Sequence, residues 1–212
     1  SEGYLYFAVG DRGNRDELPQ SLGKDGGKIY RLNDDGSIPS DNPFVGQEGA
    51  IEAMYSYGHR NPQGMTMHPE TGKIWSHEHG PRGGDELNYV EAGKNYGWPV
   101  ITYGINYNGT PITDEREREG MEQPKTYWDP SIAPSGLDFV TSDLYPAWKG
   151  KAILGSLKFS YLVVIELDGT EVSSRENVLE GIGRVRNVKQ GPDGYIYVGV
   201  DGVGIYKIMP ED

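Results

Sequence analysis

Residues 3–10 read GYLYFAVG, and residues 194–201 read GYIYVGVD. In both, aromatic and aliphatic side chains fill a strand-length run that closes beside an aspartate. A strand that returns nearly intact at the far end of a chain marks a repeated unit. Weaker copies lie between. GKIYRLNDDG at 27–36 is a strand closed by an Asp-Gly turn, and GMTMHPETGKIWSHEHG at 64–80 holds two short strands around Pro-Glu-Thr-Gly. Residues 135–158 hold two more, YLVVIELDGTEV at 161–172 a pair across Asp-Gly, and residues 185–208 three. The unit recurs at roughly 45–60 residues, near the size of a four-stranded propeller blade. The chain therefore reads as all-β, a β-propeller with about four blades over 1–212, with a sandwich or a β-helix as the competing architectures. Residues 91–134 are irregular, DEREREG at 114–120 is a solvated loop, and no segment, 173–181 included, carries a helical stripe.

Composition narrows the function. The 31 glycines have no three-residue period, which excludes collagen. A net charge of -12 repels phosphate backbones and makes nucleic acid an unsuitable partner. No run approaches the length of a membrane-spanning helix. With no cysteine, disulfides and thiolate metal sites are out. The chain enters a strand-like run directly at Ser1 without a leader, which reads as a processed or excised piece.

Chemistry concentrates in YSYGHRNPQGMTMHPETGKIWSHEHGPRGGDELN at 55–88. Arg60, Asn61 and Gln63, stiffened by Pro62, offer a guanidinium fork and two amides for planar carboxylates, carbonyls or quinone-like oxygens; the alternative is a loop satisfying its own backbone. In a strand, Trp75, His77 and His79 share one face and Ser76 and Glu78 the other. The two histidines either share a zinc ion or are plain hydrogen-bonded strand residues. Gly80, Gly83 and Gly84 permit turns that bare carbonyls, and Asp85 and Glu86 add hard oxygen ligands, a set that suits calcium; Asp85 alternatively caps the loop or pairs with Arg82. Further on, Lys158 ends the strand-like AILGSLK. Arg184 and Arg186 alternate in GRVRNV and so repel each other unless an anion lies between them, a bound carboxylate or phosphate ligand or a surface Asp or Glu.

YGHRNPQG, EHGPRGGDELN and KNYGWP strongly resemble the soluble aldose sugar dehydrogenases that use pyrroloquinoline quinone (PQQ), and the related glucose and sorbosone dehydrogenases, over essentially the whole chain. The resemblance implies a six-bladed propeller with the quinone over its axis, calcium beside it, and a periplasmic or secreted location. It implies that Arg60, Asn61 and Gln63, with Tyr107, Lys158, Arg184 and Arg186, hold the quinone. Gly80, Pro81, Glu86 and Tyr96, the last through its carbonyl, would hold calcium. The implied reaction is hydride transfer from C1 of a cyclic aldose to the quinone, leaving a lactone, with electrons passing on to an external acceptor.

The family's general base is a histidine just upstream of the strand matching GYLYFAVG, and none of His59, His68, His77 or His79 matches it. About two blades are then expected on the N-terminal side, in the same protein or supplied by another chain. A calcium-dependent lactonase-like propeller and a non-catalytic protein- or glycan-binding propeller are the competing functions. Tyr127 and Trp128 are candidates for stacking on a sugar.

Overall fold

The computed structural model describes residues 3–210. Among them are fourteen strands and no helix. They form four antiparallel sheets, the blades of a propeller. The first sheet is β1 (Tyr4–Val9), β2 (Lys28–Asn33) and β3 (Met54–Tyr57). The second is β4 (Pro62–Met67), β5 (Ile74–Glu78), β6 (Asp85–Val90) and β7 (Thr126–Trp128). The third is β8 (Pro134–Phe139), β9 (Ala152–Ser156), β10 (Leu162–Asp168) and β11 (Glu171–Val178), and the fourth is β12 (Val185–Gln190), β13 (Ile196–Val200) and β14 (Gly204–Ile208). Each sheet is a meander in which consecutive strands pair, with short turns at β4–β5, β10–β11 and β13–β14 and long loops at β1–β2, β2–β3 and β6–β7. The expected strands all appear, and residues 91–134 contribute only the three-residue β7.

Apolar layers between the sheets explain the strand composition. Ile29, Ile74, Val90 and Tyr96 fill the layer between the first and second sheets. Trp75, Leu87, Leu137, Leu154 and Val163 fill the next, and Ile153, Leu162, Val164, Val188 and Val198 the last. Neighbouring residues of β9 and β10 thus point into different layers, both apolar. That is why β9 is buried throughout, whereas β14, at the end of the set, is mostly exposed. Trp128 is 8 % exposed and belongs to the middle layer, so its ring is packing and not a stacking platform for a sugar. Tyr127 keeps 38 % of its surface exposed.

The two copies of the opening motif are β1 and β13. β13 is the second strand of its sheet, next to β12, so the echo aligns β1 with a second strand. The first strands of the other sheets, β4, β8 and β12, lie side by side. Each carries a register shift at its start, where Gln63, Gly136 and Arg186 are passed over in the pairing. The β-bulge recurs in three blades, and in two of them the bulged residue, Gln63 or Arg186, brings a polar side chain to the rim.

Candidate functional site

The rim where β4, β8 and β12 begin is where the polar side chains meet. Gln63 sits at the β4 bulge with Asn61 two residues before it, as Arg186 sits at that of β12 with Arg184 two residues before it. Gln63 Nε2 donates to Asn61 Oδ1 (3.0 Å). Arg60 is held along its length: Nη1 donates to His79 O (2.7 Å) and Gly80 O (3.0 Å), and Nη2 to the Tyr107 hydroxyl (3.3 Å). Its guanidinium also lies 5.5 Å from the Trp98 ring, whose Nε1 donates to Asp11 (2.8 Å). Tyr107 is 73 % exposed and, with Lys158, lines an open groove of about 690 Å³ that also includes Pro81, Arg82 and Tyr103. Lys158 lies two residues beyond β9 rather than within it, exposed at the rim.

Arg184 and Arg186 do share a face, and an anion lies between them. Arg184 Nε and Arg186 Nη2 both donate to Asp201 Oδ2 at 3.0 Å, and Arg184 Nη1 reaches Leu157 O (3.3 Å), next to Lys158. Like-charge repulsion is thus relieved by a carboxylate of the chain itself. Asp201 is drawn below its ordinary value by those two arginines. His79 links the two halves of the rim. Burial lowers its pKa, and the fields of Arg60 and Arg186 push the same way.

The calcium candidates divide between two places. Gly80, Glu86 and Tyr96 line a small cavity together with Arg60, Glu78 and Thr102, whereas Pro81 lines the larger groove. The cavity has about 10 Å³ of space, room for one water or one cation. Among the described residues no three Asp, Glu or His side chains gather at metal-binding spacing. The oxygen set nonetheless suits one hard cation. Asn88 Nδ2 bridges Glu78 Oε1 (3.1 Å) and Glu86 Oε2 (3.3 Å), and its own Oδ1 is buried without a partner. Burial, and then the charge of Glu78, pushes the Glu86 carboxyl well above the usual carboxylate range. A cation would relieve that strain. The Tyr96 hydroxyl is committed elsewhere, since it donates to Tyr89 O (2.6 Å), and the ring stacks on His59. The Gly80 carbonyl is shared with Arg60.

Three residues proposed as metal ligands, Asp85, His77 and His79, have other work. Asp85, fully buried, accepts the backbone N–H of Gly80 (2.8 Å) and Ala133 (2.8 Å) and the Ser131 hydroxyl. It caps the Gly80–Gly84 loop and ties it to the lead-in of β8. Gly83 and Gly84 are both left-handed (φ 73° and 70°), and a Cβ on Gly84 would lie 2.4 Å from Gly104 N, so the loop's path requires glycine there. His77 and His79 are hydrogen-bonded strand residues rather than a zinc pair. Their Nε2 atoms donate to Gly136 O and Pro134 O, both at 2.7 Å. His77 Nδ1 is buried without a partner, and burial lowers its pKa to about 4.

The glucose/sorbosone dehydrogenase family model matches residues 1–206. The chain belongs to the glucose/sorbosone dehydrogenase family. It is 46% identical over 203 residues to the aldose sugar dehydrogenase YliI of Escherichia coli (strain K12), a match covering 94% of this chain and 54% of that protein. The crystal structure of the soluble aldose sugar dehydrogenase from Escherichia coli in the apo-form superposes with a TM-score of 0.93 and 44% identity, covering 99% of this chain and 62% of that one. The PQQ-bound form of the aldose sugar dehydrogenase from Streptomyces coelicolor gives a TM-score of 0.72 and 30% identity, covering 95% and 54%. The chain spans about half the length of the curated relatives it matches.

Beside the residues that carry the family resemblance, the structure places groups that sequence reading passed over. Glu78 accepts the backbone N–H of both Arg60 and Asn61 (3.3 Å for Asn61) through Oε2, and bonds His59 Nδ1 (3.1 Å) through Oε1. His59 Nε2 accepts from Ser56 Oγ (2.9 Å). Burial alone would raise the Glu78 pKa; His59 and the two N–H groups outweigh it and hold it low. The available signal was an isolated glutamate inside IWSHEH, a strand otherwise buried on both faces. Arg15 Nη1, which donates to Asn106 Oδ1 (2.7 Å) beside Tyr107, carried no motif to announce it.

Proposed function

We propose that this chain is the cofactor-holding part of a PQQ-dependent aldose sugar dehydrogenase that oxidises the C1 hydroxyl of aldoses to the lactone. The observation that carries this reading is the convergence of Arg60, Asn61, Gln63, Tyr107, Lys158, Arg184 and Arg186 on one rim of an acidic protein. Guanidinium forks, amides and an ammonium drawn from three blades are the donor types that suit a planar, multiply anionic ligand. Its relatives bear the names aldose sugar dehydrogenase and quinoprotein glucose dehydrogenase. When bound, PQQ supplies the hydride acceptor, and calcium supplies a Lewis acid beside it.

The chain's own part is binding and orientation. Arg60, pinned by the carbonyls of His79 and Gly80, presents a guanidinium whose position is set before the ligand arrives. Tyr107 and Lys158 close one side, and Arg184 and Arg186, aligned by Asp201, the other. Glu86, Gly80 and the Tyr96 main chain would hold calcium in the small cavity, with Pro81 at the larger groove. The proton acceptor for the sugar hydroxyl lies outside these residues. His59 and His77 are fully buried, His79 is tied to Pro134 O, and His68 accepts N–H groups of its own turn. The reading places that histidine and about two further blades on the N-terminal side, completing a six-bladed ring, in a periplasmic or secreted protein with a separate electron acceptor. The lactonase-like alternative is less well supported, because hydrolysis has no use for basic side chains drawn from three blades, Arg60, Lys158, Arg184 and Arg186, at one rim.

The test is spectroscopic titration of the full-length protein with PQQ, in calcium, followed by aldose oxidation with an artificial electron acceptor. Arg60→Ala is expected to weaken binding by roughly 10- to 100-fold, the worth of a charge-assisted hydrogen bond. A wild-type protein that neither binds PQQ nor oxidises an aldose refutes the reading.

A further inference from the structure

We infer that Glu78 is the positioning residue of the Arg60–Asn61 pair, and that through it an ion in the small cavity tightens the rim. The inference rests on the functional reading only in what the rim binds; the coupling is a property of the chain. Glu78 ends β5 and is 4 % exposed. Its two oxygens have different tasks. Oε2 faces the rim and holds the main chain at the two residues that open the β4 bulge, accepting the N–H of Arg60 and of Asn61. Oε1 faces inward, where His59 Nδ1 (3.1 Å) and Asn88 Nδ2 (3.1 Å) hold it. Arg60 is thereby fixed at both ends, its N–H by Glu78 and its guanidinium by the carbonyls of His79 and Gly80, which continue the same strand. Among the described residues no other side chain hydrogen-bonds the main chain of this pair, Glu78 also lines the cavity, and Asn88 connects it (3.3 Å) to Glu86, its cross-strand neighbour on β6.

The consequence is mechanical and electrostatic. A cation entering the cavity draws on Glu86, relieves its repulsion of the neighbouring Glu78, and frees the Asn88 amide from having to bridge two carboxyl groups. Both effects fix the Glu78 carboxylate in one orientation, and with it the N–H groups of Arg60 and Asn61. Cavity occupancy and anion affinity at the rim are then linked, and the linkage is reciprocal.

The test uses hydrogen exchange followed by mass spectrometry or NMR on the full-length protein, with calcium chloride or with a chelator and no quinone. In the wild type, calcium is expected to slow exchange at Arg60 and Asn61 by at least fivefold. Glu78→Gln keeps the shape but turns one acceptor into a donor; it is expected to speed exchange at these amides at least tenfold and to abolish the calcium effect. Asn88→Ala leaves the Glu78 contacts to Arg60 and His59 in place; it is expected to keep chelator-state exchange within threefold of wild type while losing the calcium effect, and it serves if Glu78→Gln does not fold. A merely structural role for Glu78 would leave the calcium response intact in Asn88→Ala. Equal calcium responses in wild type and Asn88→Ala, or no response in the wild type, overturn the coupling. Unchanged Arg60 exchange in folded Glu78→Gln overturns the positioning role. Because no quinone is present, failure to bind PQQ would sink the functional reading and leave this result standing.

Discussion

Replacing Asp85 with asparagine removes one charge and one acceptor from a fully buried node. Asp85 takes three hydrogen bonds, from Gly80 N (2.8 Å) and the Ser131 hydroxyl on Oδ1 and from Ala133 N (2.8 Å) on Oδ2. The asparagine carbonyl can keep the first two, which lose their charge assistance, a loss of roughly half their strength. Its NH₂ then faces the Ala133 N–H, donor against donor, and leaves that buried group unpaired at a cost of about 1–3 kcal/mol. The whole change comes to about 3 kcal/mol. For a chain of 212 residues that corresponds to a fall of roughly 6–12 °C in Tm. Urea and thermal unfolding of wild type and Asp85→Asn, followed by circular dichroism, measure it. The loss should leave the denaturant slope unchanged, since the native fold persists and only its stability falls. Asp85→Ala, which deletes both acceptor oxygens and with them all three hydrogen bonds, should fall further. A loss below 1 kcal/mol for Asp85→Asn would refute the reasoning, because it would mean that the loop between β5 and β6 and the lead-in to β8 hold their places without this carboxylate.

Two further outcomes follow from buried groups. Lys28 is fully buried and its ammonium is caged by the carbonyls of Leu18 (2.6 Å), Pro19 (3.2 Å) and Gly26 (2.7 Å), so Lys28→Met should cost about 3 kcal/mol in chemical denaturation by leaving those carbonyls unpaired; a neutral or stabilising effect would show that they find water instead. His77 titrates near pH 4 when folded and near the ordinary imidazole value when unfolded, so the unfolded chain binds the extra proton between these limits and stability falls as pH drops from about 6.5 to about 4, by about 3 kcal/mol. Denaturation midpoints over that range should slope more steeply for wild type than for His77→Gln, and parallel slopes would contradict the assignment.

The sequence by itself determined the class of fold and the chemistry of the rim. Strands and turns are local. Each meander pairs neighbours in the chain, so alternating side chains and Asp-Gly turns announced β4–β5, β10–β11 and β12–β14 directly. The echo between residues 3–10 and 194–201 announced the repeat, and the motifs around Arg60 announced the family. Partners were not legible, because the groups that meet are far apart in the chain. Asp201 answers Arg184 and Arg186 across a β-bulge, and Asp85 answers Ser131 and Ala133 in the next blade. Alternation told which face of β5 carries Glu78 but not that this face looks at the Arg60 main chain. The calcium candidates read as one set and fell into a small cavity and a larger groove, since neighbours in a loop need not line the same space. Strand periodicity fixes the direction of a side chain relative to its own sheet. What it meets there depends on how sheets pack around a common axis, and that is set by apolar layers drawn from the whole chain.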